Sequence, residues 1–164
     1  MMSVIPGLSM EVDAHEAAGP DDNLFGMICR YQEANNFYPS AIGGNGYAGI
    51  TKRTGGQVLV ISSPLLTRSP AVIRGQESNH LRAICKGNKL SLYVNDQLVA
   101  QATENDFQGG DVGLLASAGN QAGVEIHFTN FELPRPSSPK SGLGCSHGFK
   151  NSVFFSSRFL WKLR

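Results

Sequence analysis

Residues 8 to 15, LSMEVDAH, alternate without a break: Leu8, Met10, Val12 and Ala14 are apolar, and Ser9, Glu11, Asp13 and His15 between them are polar. A period of two sends successive side chains to opposite faces of an extended chain, so this run predicts an antiparallel strand with one face buried and one in water. After the turn AAGPDDN, the run LFGMICRYQ has no polar alternation apart from Arg30, which predicts a central strand covered on both sides. NNFYPSAI then leads into GGNG, where Asn45-Gly46 suits the positive φ angles of a tight hairpin turn, and YAGITKR returns. After TGG the run QVLVIS completes a meander. Pro64 and Pro70 in SPLLTRSPAVIRGQESN argue against a central strand there. HLRAICKG, KLSLYVND, QLVAQATE, GDVGLLASAG and VEIHFTNFEL follow, each an apolar run bounded by Gly, Asn or Asp.

No segment before residue 135 has helical period, so the fold class predicted is all-β: one antiparallel β-sandwich of roughly ten strands. Its core is expected to include Val12, Met27, Cys29, Leu81, Ala83, Cys85, Leu90, Leu92, Val94, Val112, Leu114, Ile126 and Phe128. Gly44, Gly46 and Gly49 spell G-x-G-x-x-G, but a dinucleotide site needs a helix to follow, and ITKRTGGQVLVI is β-branched and broken by glycines. The hairpin reading is preferred.

A length of 164 residues suits one domain, and an apolar share of 41% with 16% charged residues describes a globular chain. Charge is unevenly placed. Up to Pro134 there are eight basic against thirteen acidic residues, a net −5, while the six remaining basic residues follow, a net +6. A body of that sign, with no basic stripe interleaved with aromatics, excludes nucleic acid as the expected partner. The domain is therefore read as residues 1–134. A Pro/Ser/Gly linker follows at 135–148, then a basic, aromatic tail at 149–164, read as a poorly ordered appendage rather than a membrane-binding element because its apolar positions form no helical stripe. MMSVIPGLSM lacks the pattern of a secretory signal, and no run of about 18 apolar residues could span a membrane. Three cysteines without metal-type spacing are read first as buried free thiols, with a Cys29 to Cys85 bridge as the alternative.

Candidate chemistry sits in EVDAHE. Glu11, Asp13 and Glu16 form Glu-x-Asp-x-x-Glu, the arrangement by which one class of polysaccharide-cutting β-sandwich carries its nucleophile and acid. A retaining mechanism needs the two carboxyls about 5 to 5.5 Å apart. Glu11 and Glu16 are an odd number of positions apart, so an extended strand turns them to opposite faces unless a bulge intervenes. The alternation from Leu8 to His15 demands no bulge, and the motif is read as one wet strand face.

Several motifs in order resemble one family. Asn79 to Arg82 forms an N-x-L-R strand entry, Leu92 to Asp96 an L-Y-V-N hairpin, Gly110 to Leu114 a G-x-V-G-L strand and Phe128 to Phe131 a closing F-x-N-F, while GMICRYQEANNFY is similar to a G-x-x-x-R-Y…N-x-Y strand pair. The chain resembles the concanavalin A-like lectin/glucanase superfamily over roughly residues 8 to 134, in particular laminin-G-like domains and the bacterial domain family labelled 3-keto-disaccharide hydrolase. It departs at Asp96, where the hairpin has Gly, at Thr129, where the closing motif has Asp, and in lacking the family's first strand or strands, often with a Trp. The resemblance implies a jelly roll, an extracellular or cell-surface setting, and a noncatalytic carbohydrate-binding module of a larger protein. Candidate ligand residues are Glu11, Asp13, His15, Arg30 and Tyr38, acids and donors for hydroxyls plus an aromatic face. Arg30 reads equally as a buried charge paired with Glu11 or Asp13. No cofactor is required by this reading, with calcium the candidate ion. The alternatives are a glycoside hydrolase acting through Glu11 and Glu16, and a purely structural domain packing against others.

Overall fold

The computed structural model describes residues 7–133 and the backbone of residues 153–156 and 160–163. In chain order the strands are β1 (Leu8–Ala18), β2 (Asn23–Glu33), β3 (Asn36–Ile42), β4 (Tyr47–Thr54), β5 (Gln57–Val60), β6 (Thr67–Arg68), β7 (Asn79–Lys86), β8 (Lys89–Val94), β9 (Gln97–Thr103), β10 (Asp111–Ala118), β11 (Glu125–Glu132), β12 (Val153–Ser156) and β13 (Leu160–Leu163). They form two antiparallel sheets, one of six strands in the order β12-β11-β1-β7-β8-β9 and one of seven in the order β13-β10-β2-β3-β4-β5, with β6 also on β4. No helix occurs among the described residues. Of the tail, β12 pairs with β11 and β13 with β10; the linker expected at 135–148 lies outside the described residues.

The inner faces carry the core, and the alternation explains which residues reach it. Met10, Val12 and Ala14 of β1, Leu81, Ala83 and Cys85 of β7 and Leu90, Leu92 and Val94 of β8 meet Phe25, Met27, Cys29, Tyr38, Ile42 and Ile50 from the opposite sheet. Of the expected core, Val112 alone is only partly buried, at the edge of the cluster. The run QVLVIS, expected to complete a meander, does so as the short strand β5, but its Val58, Leu59 and Val60 are exposed because it flanks β4 at the sheet margin.

The free-thiol expectation is corrected. Cys29 on β2 and Cys85 on β7 both point inward from opposite sheets, their Cα atoms 6.7 Å apart, and they form a disulfide that ties the sheets together across 56 positions of chain. Two turns also speak to the sequence. Asn95 and Asp96 have φ values of 49° and 66°, the paired positive angles of a type I′ turn, so Asp96 takes the place of the hairpin glycine. At 43–46 only Gly46 is left-handed, with φ 92°, while Asn45 uses its side-chain oxygen to accept from the Tyr47 amide at 3.3 Å. Strands flank this turn on both sides, which is the hairpin and not the nucleotide-loop arrangement.

Candidate functional site

β1 runs through the middle of its sheet, paired with β7 in an unbroken register from Leu8↔Cys85 to Ala14↔Asn79. Its outward residues therefore meet those of β7 in rows: Glu11 lies opposite Arg82, and Asp13 opposite His80. Asp13 is the hub of the face. Its Oδ1 lies 2.7 Å from His80 Nδ1, and its Oδ2 accepts from Asn130 Nδ2 at 2.8 Å. Asn130 reaches it because β11 carries an extra residue here: β1 advances from Glu11 to Asp13 while β11 moves from Glu132 to Thr129, and Asn130 has φ 54°. His80 Nε2 also stands 4.0 Å from Glu11 Oε2, so one imidazole faces two carboxylates.

Beside this cluster the guanidinium of Arg82 lies over the ring of Tyr93 on β8, with Cζ 4.3 Å from the centroid. Its Nε is buried and has no hydrogen-bond partner, and no hydrogen bond or ion pair to any described residue engages the rest of the group. Further along the same hairpin, Ile84, Lys86, Gly87, Asn88, Lys89 and Ser91 line a shallow hollow of about 460 Å³. At the other end of β1, His15 packs edge-on against His127, the ring centroids 5.0 Å apart, and His127 Nε2 lies 2.5 Å from Glu125 Oε1.

The expected site residues divide in two. Glu11, Asp13 and His15 share this face. Arg30 and Tyr38 do not: Arg30 is buried and donates to the carbonyls of Phe107 and Gly87, not to Glu11 or Asp13. The ring of Tyr38 is fully buried, 4.9 Å from that of Phe107, and its hydroxyl accepts from the Phe107 amide at 3.0 Å. Together they clamp the loop after β9. Burial raises the Tyr38 pKa above its usual 10.0, partly opposed by that amide. Lys52, also buried, pairs with Asp106 and Glu104, and the hydrogen bond it donates to Asp106 above all raises its pKa above the usual 10.5.

Glu16 lies on the inner face of β1 and is 5% exposed. The bulge in β1 falls between Glu16 and Ala18, after both glutamates, so Glu11 and Glu16 remain on opposite faces. Glu16 Oε2 is buried with no hydrogen-bond partner among the described residues, against the 43–46 turn, where a side chain at Gly44 would collide with it. Among the described residues no group of three or more His, Cys, Asp and Glu side chains is placed to hold a metal ion.

Sequence reasoning missed His80, Arg82, Tyr93, Asn130 and His127. The first two were legible in NHLRAICK, whose apolar Leu81, Ala83 and Cys85 turn His80 and Arg82 outward, and Tyr93 follows the same rule between Leu92 and Val94. Asn130 was not, because it depends on the bulge in β11.

No family model and no curated protein matches the chain. Solved structures do. A carbohydrate-binding module, CBM66 from Bacillus subtilis, is similar with a TM-score of 0.64 and 20% identity, covering 77% of this chain and 73% of that one. Sheep galectin-11, in complex with glycerol, is similar with a TM-score of 0.57 and 14% identity, covering 81% and 93%. The GH43 protein BlXynB from Bacillus licheniformis has a TM-score of 0.57 and 14% identity, over 76% of this chain but 26% of that one. At these identities the likeness establishes the architecture, an antiparallel jelly-roll β-sandwich of the kind found in lectins.

Proposed function

We propose that the chain is a noncatalytic carbohydrate-binding module of a larger protein and that it takes its ligand on the outer face of the six-stranded sheet. The observation that carries the reading is the row built on Asp13. It combines carboxylate acceptors, imidazole and amide donors and a guanidinium that makes no hydrogen bond to a described residue, all on adjacent strands. Such a set matches sugar hydroxyls, which donate to carboxylates and accept from Arg, His or Asn. Two similar structures support it by what they are, a carbohydrate-binding module and a galectin holding glycerol, and a third contains this architecture as about a quarter of a longer chain. Kinship with laminin-G-like and 3-keto-disaccharide hydrolase domains is the narrower form of the proposal and rests on the motifs alone. The disulfide suits the extracellular setting that goes with it.

A glycan array probed with the full chain, in calcium and in chelator, tests the reading and measures the part of calcium at once. Binding that Asp13→Ala abolishes is expected. Failure to bind any glycan in either condition would move the assignment to a structural interaction domain. Reducing-sugar release from laminarin that Glu11→Gln removes would make the protein a hydrolase.

A further inference from the structure

The hairpin of β7 and β8 carries three of the eight basic residues that precede Pro134, and all three stand on its outer face. Arg82, Ile84 and Lys86 alternate outward along β7, and Lys89, Ser91 and Tyr93 along β8. No acidic side chain lines the hollow between them. None of the three cations makes a hydrogen bond or ion pair with a described residue; Arg82 has only the Tyr93 ring. Lys86 and Lys89 are register partners, opposite one another at the end of the hairpin. Like charges directly opposite across two strands repel, and an anion between them relieves that repulsion. Arg82 lies over the ring of Tyr93, and its buried Nε lacks the partner that burial ordinarily demands. A planar guanidinium so placed is suited to a carboxylate or sulfate, which it engages through parallel hydrogen bonds.

We infer that the carbohydrate bound on this face is acidic, a glycan whose carboxylate or sulfate groups lie along the hairpin from Arg82 to the Lys86–Lys89 pair. The inference rests on the carbohydrate reading above and adds the charge of the ligand. The span from Arg82 to Lys86 is four strand positions, about 13 Å, so the cations engage groups on successive sugars rather than one. Glu11 is the register partner of Arg82 but makes no ion pair with it, its carboxylate standing 4.0 Å from His80 Nε2 instead, and Asp13 lies opposite His80. On β1 these two carboxylates accept from hydroxyls of the same chain of sugars while its anionic groups keep to the hairpin.

The test is titration of the full chain with polygalacturonate, dextran sulfate, unmodified dextran, laminarin and polyglutamate. Polygalacturonate or dextran sulfate is expected to bind at least about tenfold more tightly than either neutral glucan, and the preferred one identifies the anion as carboxylate or sulfate. Added salt is expected to weaken that binding. Arg82→Gln and the double variant Lys86→Gln/Lys89→Gln are each expected to lower affinity about tenfold or more, the loss of at least one charged hydrogen bond. Because the two lysines are exposed, the double variant carries the test should Arg82→Gln fold poorly. Tight binding of a neutral glucan, unmoved by these substitutions, overturns the acidic ligand and leaves the carbohydrate module standing. Binding of no glycan overturns both. Polyglutamate bound as tightly as the acidic glycans overturns the inference in favour of a general polyanion site.

Discussion

The two sheets of the sandwich present opposite outer faces. On the six-stranded sheet the outward residues of β1 and β7 are mostly polar or charged, and Glu11, Asp13 and His80 among them are engaged in a half-buried network centred on Asp13. On the seven-stranded sheet the outward residues of β2 and β3 are Gly26, Ile28, Pro39 and Ala41, all buried, with Phe37 on the same side beneath Tyr31 and Arg53. A strand that alternates has water on one side; a strand that does not is covered on both. Ligand chemistry is therefore to be sought on the first face, where carboxylates, imidazole and amide meet in one network that β2 and β3 do not match.

The comparison breaks most easily at its two isoleucines. Ile28 points outward from β2 yet is 1% exposed, whereas Ile84 points outward from β7 and is only partly buried. Ile28→Ala is expected to destabilise by about 2 to 5 kcal/mol, the cost of truncating a packed side chain. Ile84→Ala is expected to cost about 1 kcal/mol or less, since little apolar area returns to water. Equal losses in urea unfolding would show that the faces do not differ in packing.

Next in size is the bond between the sheets. Replacing both Cys29 and Cys85 by Ala is expected to lower stability by about 2 to 4 kcal/mol, as for other loops of this order. A reductant should do the same to the unmodified protein and nothing to the variant. Unchanged thermal midpoints in both would mean that the thiols are free in solution.

How much of this was legible follows from what each feature depends on. Periodicity is local, so the strands, their inward residues and the wet face of β1 could be read directly from Leu8 to His15. The covered nature of β2 was legible for the same reason. Pairing is not local. That Cys29 meets Cys85 depends on β2 and β7 crossing in opposite sheets, and that Arg30 finds the carbonyls of Phe107 and Gly87 depends on loops 57 and 77 positions away. Tyr38 was placed on the wrong side because the polar residue that shares its face in NNFYPSAI, Ser40, is itself buried and so does not mark a wet side.

A smaller effect separates the buried polar groups from the exposed ones. Tyr38 and Lys52 both have pKa values raised above those of the unfolded chain. Each therefore keeps its proton in the folded state at a pH where the unfolded chain has begun to lose it, so stability falls as pH rises. The loss begins near pH 10 and runs upward through the folded values, and none arises from these groups at neutral pH. Tyr38→Phe is expected to flatten the alkaline limb of the stability profile. A profile that falls equally steeply in the variant would assign that limb to other groups.

The smallest expected change in stability sharpens the comparison most. Asp13 and His80 are close but solvent-accessible, with side chains 28% and 39% exposed, and pairs so placed contribute about 0.2 to 1 kcal/mol. Asp13→Asn preserves shape and the capacity to accept from Asn130, and it removes the charge. Its effect on unfolding free energy is therefore expected to stay under about 1 kcal/mol, while its effect on glycan binding is expected to be about tenfold or more, because a hydrogen bond to a charged acceptor is lost. A variant that loses stability and keeps its affinity would reverse the argument. The network on β1 would then serve the fold, and the wet face would be the ordinary outside of a sandwich.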